Sequence, residues 1–334
     1  MSLDALSRFQ LELEAELSFR ADSADELGLD TAWSEALAVT RDYVLRPAKR
    51  VRPTLTALGW LAAAPFASAV PQPVVQFAAG LELLHTFMLV HDDVADRAPA
   101  RRGGPTLHRL LGENEAVVLG DHLYARAVEA MATVDSPAAA QTLRYVLEVC
   151  RHTAAGQYLD LVTTRAPLSR VTLFRTLKVA ELKTARYGFV APLACGAMLA
   201  GAPEPLLDLL KRAGRHAGLA YQLRDDLIGL FGDDRVAGKD GGGDFLEGKR
   251  TFPVVAAWTR ADDAGRAELE ALWANPQASR LEEARALVRR WGGLDATQRL
   301  IDARTRSALK ALEAAGPAVA PLAALMKGLA RRAA

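Results

Sequence analysis

Apolar residues recur three and four positions apart along almost the whole chain, and that spacing restricts it to helices. "LSRFQLELEAEL" (6–17), "SPAAAQTLRYVLEVC" (136–150), "LEEARALVRRW" (281–291) and "ATQRLIDARTRSALKALEAA" (296–315) each carry one apolar stripe. They are rich in Ala, Leu, Arg and Glu, the residues that cost least in a helix. Ser136-Pro137 supplies an N-cap followed by proline at the first helical position. Strand alternation is scarce and aromatic residues make up only 6% of the chain, so the expected fold class is all-α. With 334 residues, half of them apolar, there is material for a large core. No tandem repeat or clean linker divides the sequence, and one domain over 1–334 is expected. The most loop-like stretch is "GDDRVAGKDGGGDFLEGKRTFP" (232–253), with six glycines and four aspartates.

Charge and cysteine content remove several function classes. Forty-one Lys and Arg against 40 Asp and Glu give a net charge of +1 with no basic arm, which argues against nucleic acid as a partner. Cys150 and Cys195 are the only cysteines and lie far apart, so neither a disulfide framework nor a zinc site is expected. The N-terminal twenty residues are charged throughout and lack the apolar centre of a signal peptide. The longest uncharged stretch, Pro53 to Leu81, is interrupted by Pro65, Pro71 and Pro73, so no integral membrane segment is expected. A cytoplasmic location fits these features.

The densest chemistry lies in "HTFMLVHDDVADRAPARRGGPTLH" (85–108). At 100° per residue, His85, Asp92 and Asp96 fall within about 40° of one another, with Asp93 on the flank of that stripe. Two carboxylates one turn apart repel unless a cation lies between them. Magnesium suits the pair, because it takes hard oxygen ligands and bridges one or two carboxylates to substrate phosphates. Arg101 and Arg102 follow closely, and guanidinium forks match phosphate oxygens. "HAGLAYQLRDDLIGLFGDD" (216–234) repeats the theme, with Gln222, Asp225 and Gly229 on one side of a helix and Asp226 beside them. Either Asp-Asp pair alone reads most simply as a solvated face; two pairs on otherwise apolar helices point to a phosphate-ester site.

The ordered motifs resemble the trans-isoprenyl diphosphate synthases, or polyprenyl synthetases, from about residue 40 to 255. "AKRVRP" is similar to that family's Gly-Lys-Arg region, with Ala48 in place of glycine. "HDDVAD" resembles the first aspartate-rich motif in its short DDxxD form, followed by "RRGGPTLH". "LGDHL", "GQYLDL", "KTARYG", "YQLRDDLIG", Gly238-Lys239 and "EGKRT" then follow in the family's order.

That resemblance implies a single-domain, isoprenoid-synthase-type bundle of helices around a central active-site cavity. The implied reaction ionises an allylic diphosphate; isopentenyl diphosphate attacks the carbocation, and the departing pyrophosphate takes the proton. The implied cofactor is Mg2+, three ions, with Mn2+ as a substitute. Asp92, Asp96 and Asp225 would hold metal directly, and Asp93 and Asp226 would complete the metal set through water. Arg101, Lys183 and Lys239 would grip the allylic diphosphate, with Lys249 as a weaker contact. Lys49, Arg52, His85 and Arg102 would bind isopentenyl diphosphate without metal. Gln222 and Thr184 would stand near the developing cation as oriented dipoles. A homodimer is implied as well.

Two departures stand out. Gly229 replaces the third aspartate of the second motif, so altered metal affinity is expected there. Between Leu84 and Asp92 there is one aromatic, Phe87, beside Met88, and no insertion separates Asp92 from Asp96. A helical turn rises about 5.4 Å, close to one isoprene unit, so Leu84, Phe87 and Met88 would form the floor that sets product length. By resemblance this is the geranylgeranyl-length (C20) pattern, with farnesyl length (C15) as the alternative. A terpene cyclase on the same scaffold and a non-catalytic subunit of a heteromeric synthase are the other readings. The first is disfavoured by the presence of the isopentenyl-binding set, the second by the loss of only one motif aspartate.

Overall fold

A computed structural model of the chain describes residues 3–21, 29–232 and 242–331. In chain order its first helices are α1 (Leu3–Ala21), α2 (Thr31–Leu45), α3 (Val51–Ala63), α4 (Gln72–Ala95), α5 (Leu107–Leu111) and α6 (Glu113–Ala132). Then come α7 (Ala139–Arg165), α8 (Leu173–Val179), a π-helical stretch (Ala180–Val190), α9 (Ala191–Leu199) and α10 (Glu204–Phe231). The rest are α11 (Gly243–Leu246), α12 (Phe252–Arg260), α13 (Asp263–Ala274), α14 (Leu281–Arg290), α15 (Gly293–Glu313) and α16 (Ala320–Ala330). The all-α expectation holds. Contacts sort the chain into two compact units, Met1–Val146 with Pro192–Leu207, and Leu147–Ala191 with Asp208–Ala334.

The first unit is built on α4, which packs against α1 and α3 and most extensively against α6. Pro71 precedes the helix in extended conformation and Pro73 falls in its first turn, where a missing N–H costs nothing. Val74, Val75, Phe77, Leu81, Leu83, Leu84 and Val90 are buried along it. Among the described helices α4 alone is long and apolar enough to cross a membrane, yet 67% of that apolar window is buried in the protein. Close approach of α3 and α9 depends on glycine: a Cβ on Gly59 would lie 2.9 Å from the Leu193 carbonyl carbon, and one on Gly196 2.8 Å from the Trp60 nitrogen.

After α4, Ala100–Arg101 pairs antiparallel with Gly104–Pro105, the only strand pairing among the described residues. Arg102 and Gly103 at its tip both have positive φ, 52° and 75°, the primed-turn geometry that suits tight hairpins. Arg46 Nη1 donates to the carbonyls of Arg101 and Pro105 and so fixes the hairpin. This small ladder escaped the helical periodicity because its residues carry no apolar alternation. α7 begins at Ala139 rather than at Pro137; Ser136 Oγ accepts from the Ala138 N–H in a turn ahead of the helix.

The second unit has its core around Leu230, Phe245, Val254, Val255, Leu269, Leu272, Trp273 and Val288. Phe245 meets Trp273 edge to face at 5.0 Å between ring centroids. Leu223, Leu227, Phe252 and Ile301 form an adjoining cluster that seats the C-terminal half of α10. Lys183 and Thr184 lie in the π-helical stretch, a backbone irregularity that often accompanies functional sites.

Candidate active site

In the first unit, the last turn of α4 presents Asp92 and Asp96, both part-exposed, and the Asp96 N–H bonds the Asp92 carbonyl at 2.8 Å. Asp93 turns into the protein instead. It is 1% exposed; Oδ2 accepts from the Tyr43 hydroxyl at 2.7 Å, and Oδ1 accepts from Arg101 through Nε at 2.8 Å and through Nη2. Both carboxylate oxygens are engaged by protein groups, and through them Asp93 holds Arg101 in place. Burial works against the Arg101 charge, but the hydrogen bond and charge of Asp93 outweigh it and raise its pKa. Burial, then the Asp93 charge, push the Tyr43 hydroxyl far above its ordinary value, so it remains a donor.

Glu82 was missed by the sequence reading. Three residues before His85 and 1% exposed, it accepts from Arg50 Nη1 at 2.8 Å and from Arg102 Nη2 at 3.0 Å. Arg50 and Arg102 both hold left-handed backbone, φ 43° and 52°, a conformation that costs a bulky residue of order 1–3 kcal/mol. One buried carboxylate thus anchors two strained arginines. Its only sequence signal was a lone acid inside the apolar run "AAGLELL". Arg102 Nη1 is buried without a hydrogen-bond partner.

His85 is half-buried among Arg52, Arg102, Arg101 and Arg50; its burial, and then their charges, hold its pKa well below the usual histidine value. In the free protein the ring is therefore held neutral. Lys49 is exposed on the segment that enters α3, three residues before half-buried Arg52. Of the proposed length-setting residues, Phe87 and Met88 are part-exposed, whereas Leu84 is sealed in the core. The Phe87 ring lies 4.7 Å from that of His91 and 5.3 Å from that of Tyr124 on α6, centroid to centroid.

In the second unit, Lys183 Nζ pairs with Asp160 of "GQYLDL" at 2.8 Å. Thr184 Oγ1 donates to Gln222 Oε1 at 2.5 Å, and Gln222 Nε2 donates to Asp226 Oδ1 at 2.8 Å. Both ends of the Gln222 amide are thereby fixed. Asp226 is 7% exposed, and burial first, then the charges of Asp244 and Asp225, push its pKa up to about 8. In the metal-free protein that shift favours the protonated acid near neutral pH, and its Oδ1 orients Gln222. Asp225 is part-exposed beside it. Lys249 pairs with Glu247, and Trp273 Nε1 donates to the Lys249 carbonyl at 3.0 Å. Lys239 lies outside the described residues.

Asp92 and Asp96 on α4, and separately Asp225 on α10, offer carboxylate oxygens, the hard donors that a divalent ion takes. Among the described residues no three His, Cys, Asp or Glu side chains converge on one point as a metal cage. Magnesium keeps waters and phosphate oxygens in its shell and needs only one or two protein carboxylates, so a pair such as Asp92 and Asp96 is chemically suited to it.

Comparison with known proteins places this arrangement. The sequence pattern of the polyprenyl synthetase family matches residues 34–289. A geranylgeranyl diphosphate synthase of Mycobacterium tuberculosis is 39% identical over 238 residues, covering 70% of this chain and 67% of that protein. A (2E,6E)-farnesyl diphosphate synthase of the same organism is 38% identical over 218 residues, covering 65% of this chain. There the chain spans 59% of the relative's length. The crystal structure of a geranylgeranyl pyrophosphate synthase from Corynebacterium glutamicum, complexed with isoprenyl diphosphate and magnesium, matches with a TM-score of 0.85 at 27% identity. The match covers 99% of this chain and 98% of that one.

Proposed function

The chain belongs to the polyprenyl synthetase family, and from that premise we propose that it is a short-chain trans-prenyltransferase whose main product is geranylgeranyl diphosphate. The observation that carries the product length is the face of α4 before Asp92, where half-exposed Phe87 is the single aromatic and half-exposed Met88 stands one turn away. Methionine is flexible and yields space that a second ring would block.

Each residue has a physical role in this reading. Asp92, Asp96 and Asp225 would hold magnesium, which would supply the charge neutralisation that lets an allylic diphosphate leave. Three ions are proposed, with manganese as a substitute. Arg101, pinned through Nε and Nη2 by Asp93, presents its remaining edge to phosphate in a preset orientation, so little ordering entropy is lost on binding. Lys183, steered by Asp160, adds a point charge, and Lys239 and Lys249 are assigned to the same diphosphate. Arg52, Arg102, Lys49 and His85 serve isopentenyl diphosphate. Gln222, locked by Thr184 and Asp226, cannot rotate to solvate anything else and stabilises positive charge as a fixed dipole. The departing pyrophosphate takes the proton. The family match runs unbroken through both compact units, which supports a single synthetase domain; a homodimer in the cytoplasm completes the proposal.

Product analysis tests it. With magnesium, labelled isopentenyl diphosphate and dimethylallyl, geranyl or farnesyl diphosphate as separate starters, mass spectrometry should show C20 diphosphate from each. Phe87→Ala should lengthen the product and Met88→Phe should shorten it towards C15. A C15 wild-type product would favour the farnesyl reading, a cyclised hydrocarbon would favour a cyclase, and inactivity relieved by a partner would favour a subunit.

A further inference from the structure

The π-helical run from Ala180 to Val190 keeps its register to the end, where the Ala191 N–H bonds the Arg186 carbonyl five residues back. Such runs are usually a single turn long, so one of 11 residues needs support from outside its own backbone. Part of that support is steric. A Cβ on Gly156 of α7 would lie 2.5 Å from the Lys183 nitrogen, and one on Gly218 of α10 would lie 2.5 Å from Ala185 Cα. Both neighbouring helices therefore press against the backbone of the run. The rest is electrostatic and centres on Glu181, which is 8% exposed. Its carboxylate accepts from Arg215 Nη2 of α10 at 3.0 Å, with Arg186 Nε at 3.5 Å and Lys178 Nζ at 3.7 Å. Burial works against the Glu181 charge, but the hydrogen bond and charge of Arg215, then the charges of Lys178 and Arg186, outweigh it and hold its pKa below the ordinary value.

The pairing of Glu181 with Arg186 carries the register. In an α-helix, side chains five residues apart point about 140° away from each other. Bonding from i to i+5 instead brings the fifth residue back above the first. The π register thus sets this acid and this base one above the other, and their attraction favours it over the α register. Arg186 goes on to donate through Nη1 to His152 Nδ1 of α7 at 3.1 Å, so the pair ties the run to α7 as well as to α10. Between Glu181 and Arg186 lie Lys183, which reaches Asp160 on α7, and Thr184, which reaches Gln222 on α10. A change of register rotates both side chains about the helix axis and away from those partners. We infer that Glu181 is a positioning residue for the allylic half of the reaction: through Arg186 and Arg215 it holds the register that delivers Lys183 to Asp160 and Thr184 to Gln222. The motif read from the sequence, "KTARYG", begins two residues later and leaves Glu181 out.

The assignment rests on the proposed function, and its test separates the two substrates. Lys183, Thr184 and Gln222 are assigned to the allylic diphosphate and its cation, whereas Lys49, Arg52, His85 and Arg102 are assigned to isopentenyl diphosphate. Glu181→Gln keeps the shape of the side chain and removes its charge. In steady-state kinetics it should lower kcat/KM for the allylic substrate about 10–100-fold, because small misplacements of substrate-holding groups cost that much. The KM for isopentenyl diphosphate should stay within about twofold of wild type. Arg186→Ala, which removes only the partner five residues on, should show the same split at smaller size. A role confined to stability would lower the melting temperature and weaken both substrates alike, without the split. If Glu181→Gln does not fold, Arg186→Ala and Arg215→Ala decide in its place. Folded variants with wild-type allylic constants, or with both substrates weakened equally, overturn this assignment alone. A wild-type chain that makes no prenyl diphosphate overturns the proposed function and the assignment with it.

Discussion

Two helices carry an adjacent Asp-Asp pair, α4 at 92–93 and α10 at 225–226, and in each the first aspartate is part-exposed while the second is buried. There the likeness stops. Asp93 meets a guanidinium and a phenol, and becomes one partner of a buried ion pair. Asp226 meets an amide, with two further acids nearby, and keeps its proton. The same dipeptide on the same kind of helix thus does two jobs, one aiming a cation and the other aiming a dipole. What differs is the partner that the fold brings to it.

The largest expected effect contrasts the exposed aspartates with the buried one of the second pair. Asp92→Ala and Asp225→Ala should each lower turnover by orders of magnitude, because each removes an oxygen proposed to hold metal directly. Asp226→Ala, which removes only an orienting partner, should cost ~10–100-fold. Steady-state kinetics that show equal, small losses for all three would dissolve the distinction.

Stability should separate the buried pair next. Asp93→Asn leaves the Arg101 charge buried without its counterion, so denaturant unfolding should show a loss of ~3–5 kcal/mol. Tyr43→Phe, which removes one hydrogen bond to the same carboxylate, should cost ~1 kcal/mol. Asp226→Asn replaces a neutral acid by a neutral amide and, at pH 3.8 or below, where the unfolded chain also keeps the proton, should change stability by ~1 kcal/mol or less. Similar losses in Asp93→Asn and Asp226→Asn would mean that the two sites are electrostatically alike.

A pH dependence in metal-free protein gives a further comparison. The Asp226 pKa is raised from 3.8 to about 8 on folding, so between those values the native state holds a proton that the unfolded chain has lost. Its contribution to stability is complete below the unfolded pKa and disappears as pH rises through the folded one. Melting temperatures of wild type should therefore fall from pH 5 to 8 relative to those of Asp226→Asn. Parallel curves would place Asp226 among ordinary ionised carboxylates.

Helix positions, the all-α class and the order of the charged motifs were legible in the sequence because each is a local property. The 3.6-residue period and the residue types along one face need no knowledge of the rest of the chain. The part-exposed placement of Asp92 and Asp96 on α4, and of Asp225 on α10, follows from such local patterns. The partners could not. Tyr43 lies 50 residues from Asp93, Arg102 lies 20 from Glu82, and Lys183 lies 23 from Asp160. No periodicity pairs residues across such separations. Packing of the helices decided which aspartate turned inward, and burial, which raises the cost of an uncompensated charge, decided whether that aspartate kept an ion-pair partner or a proton. The space above Gly229 shows the limit most sharply: the sequence records a missing side chain there, and only the tertiary structure shows the Asp244 carboxylate packed against it.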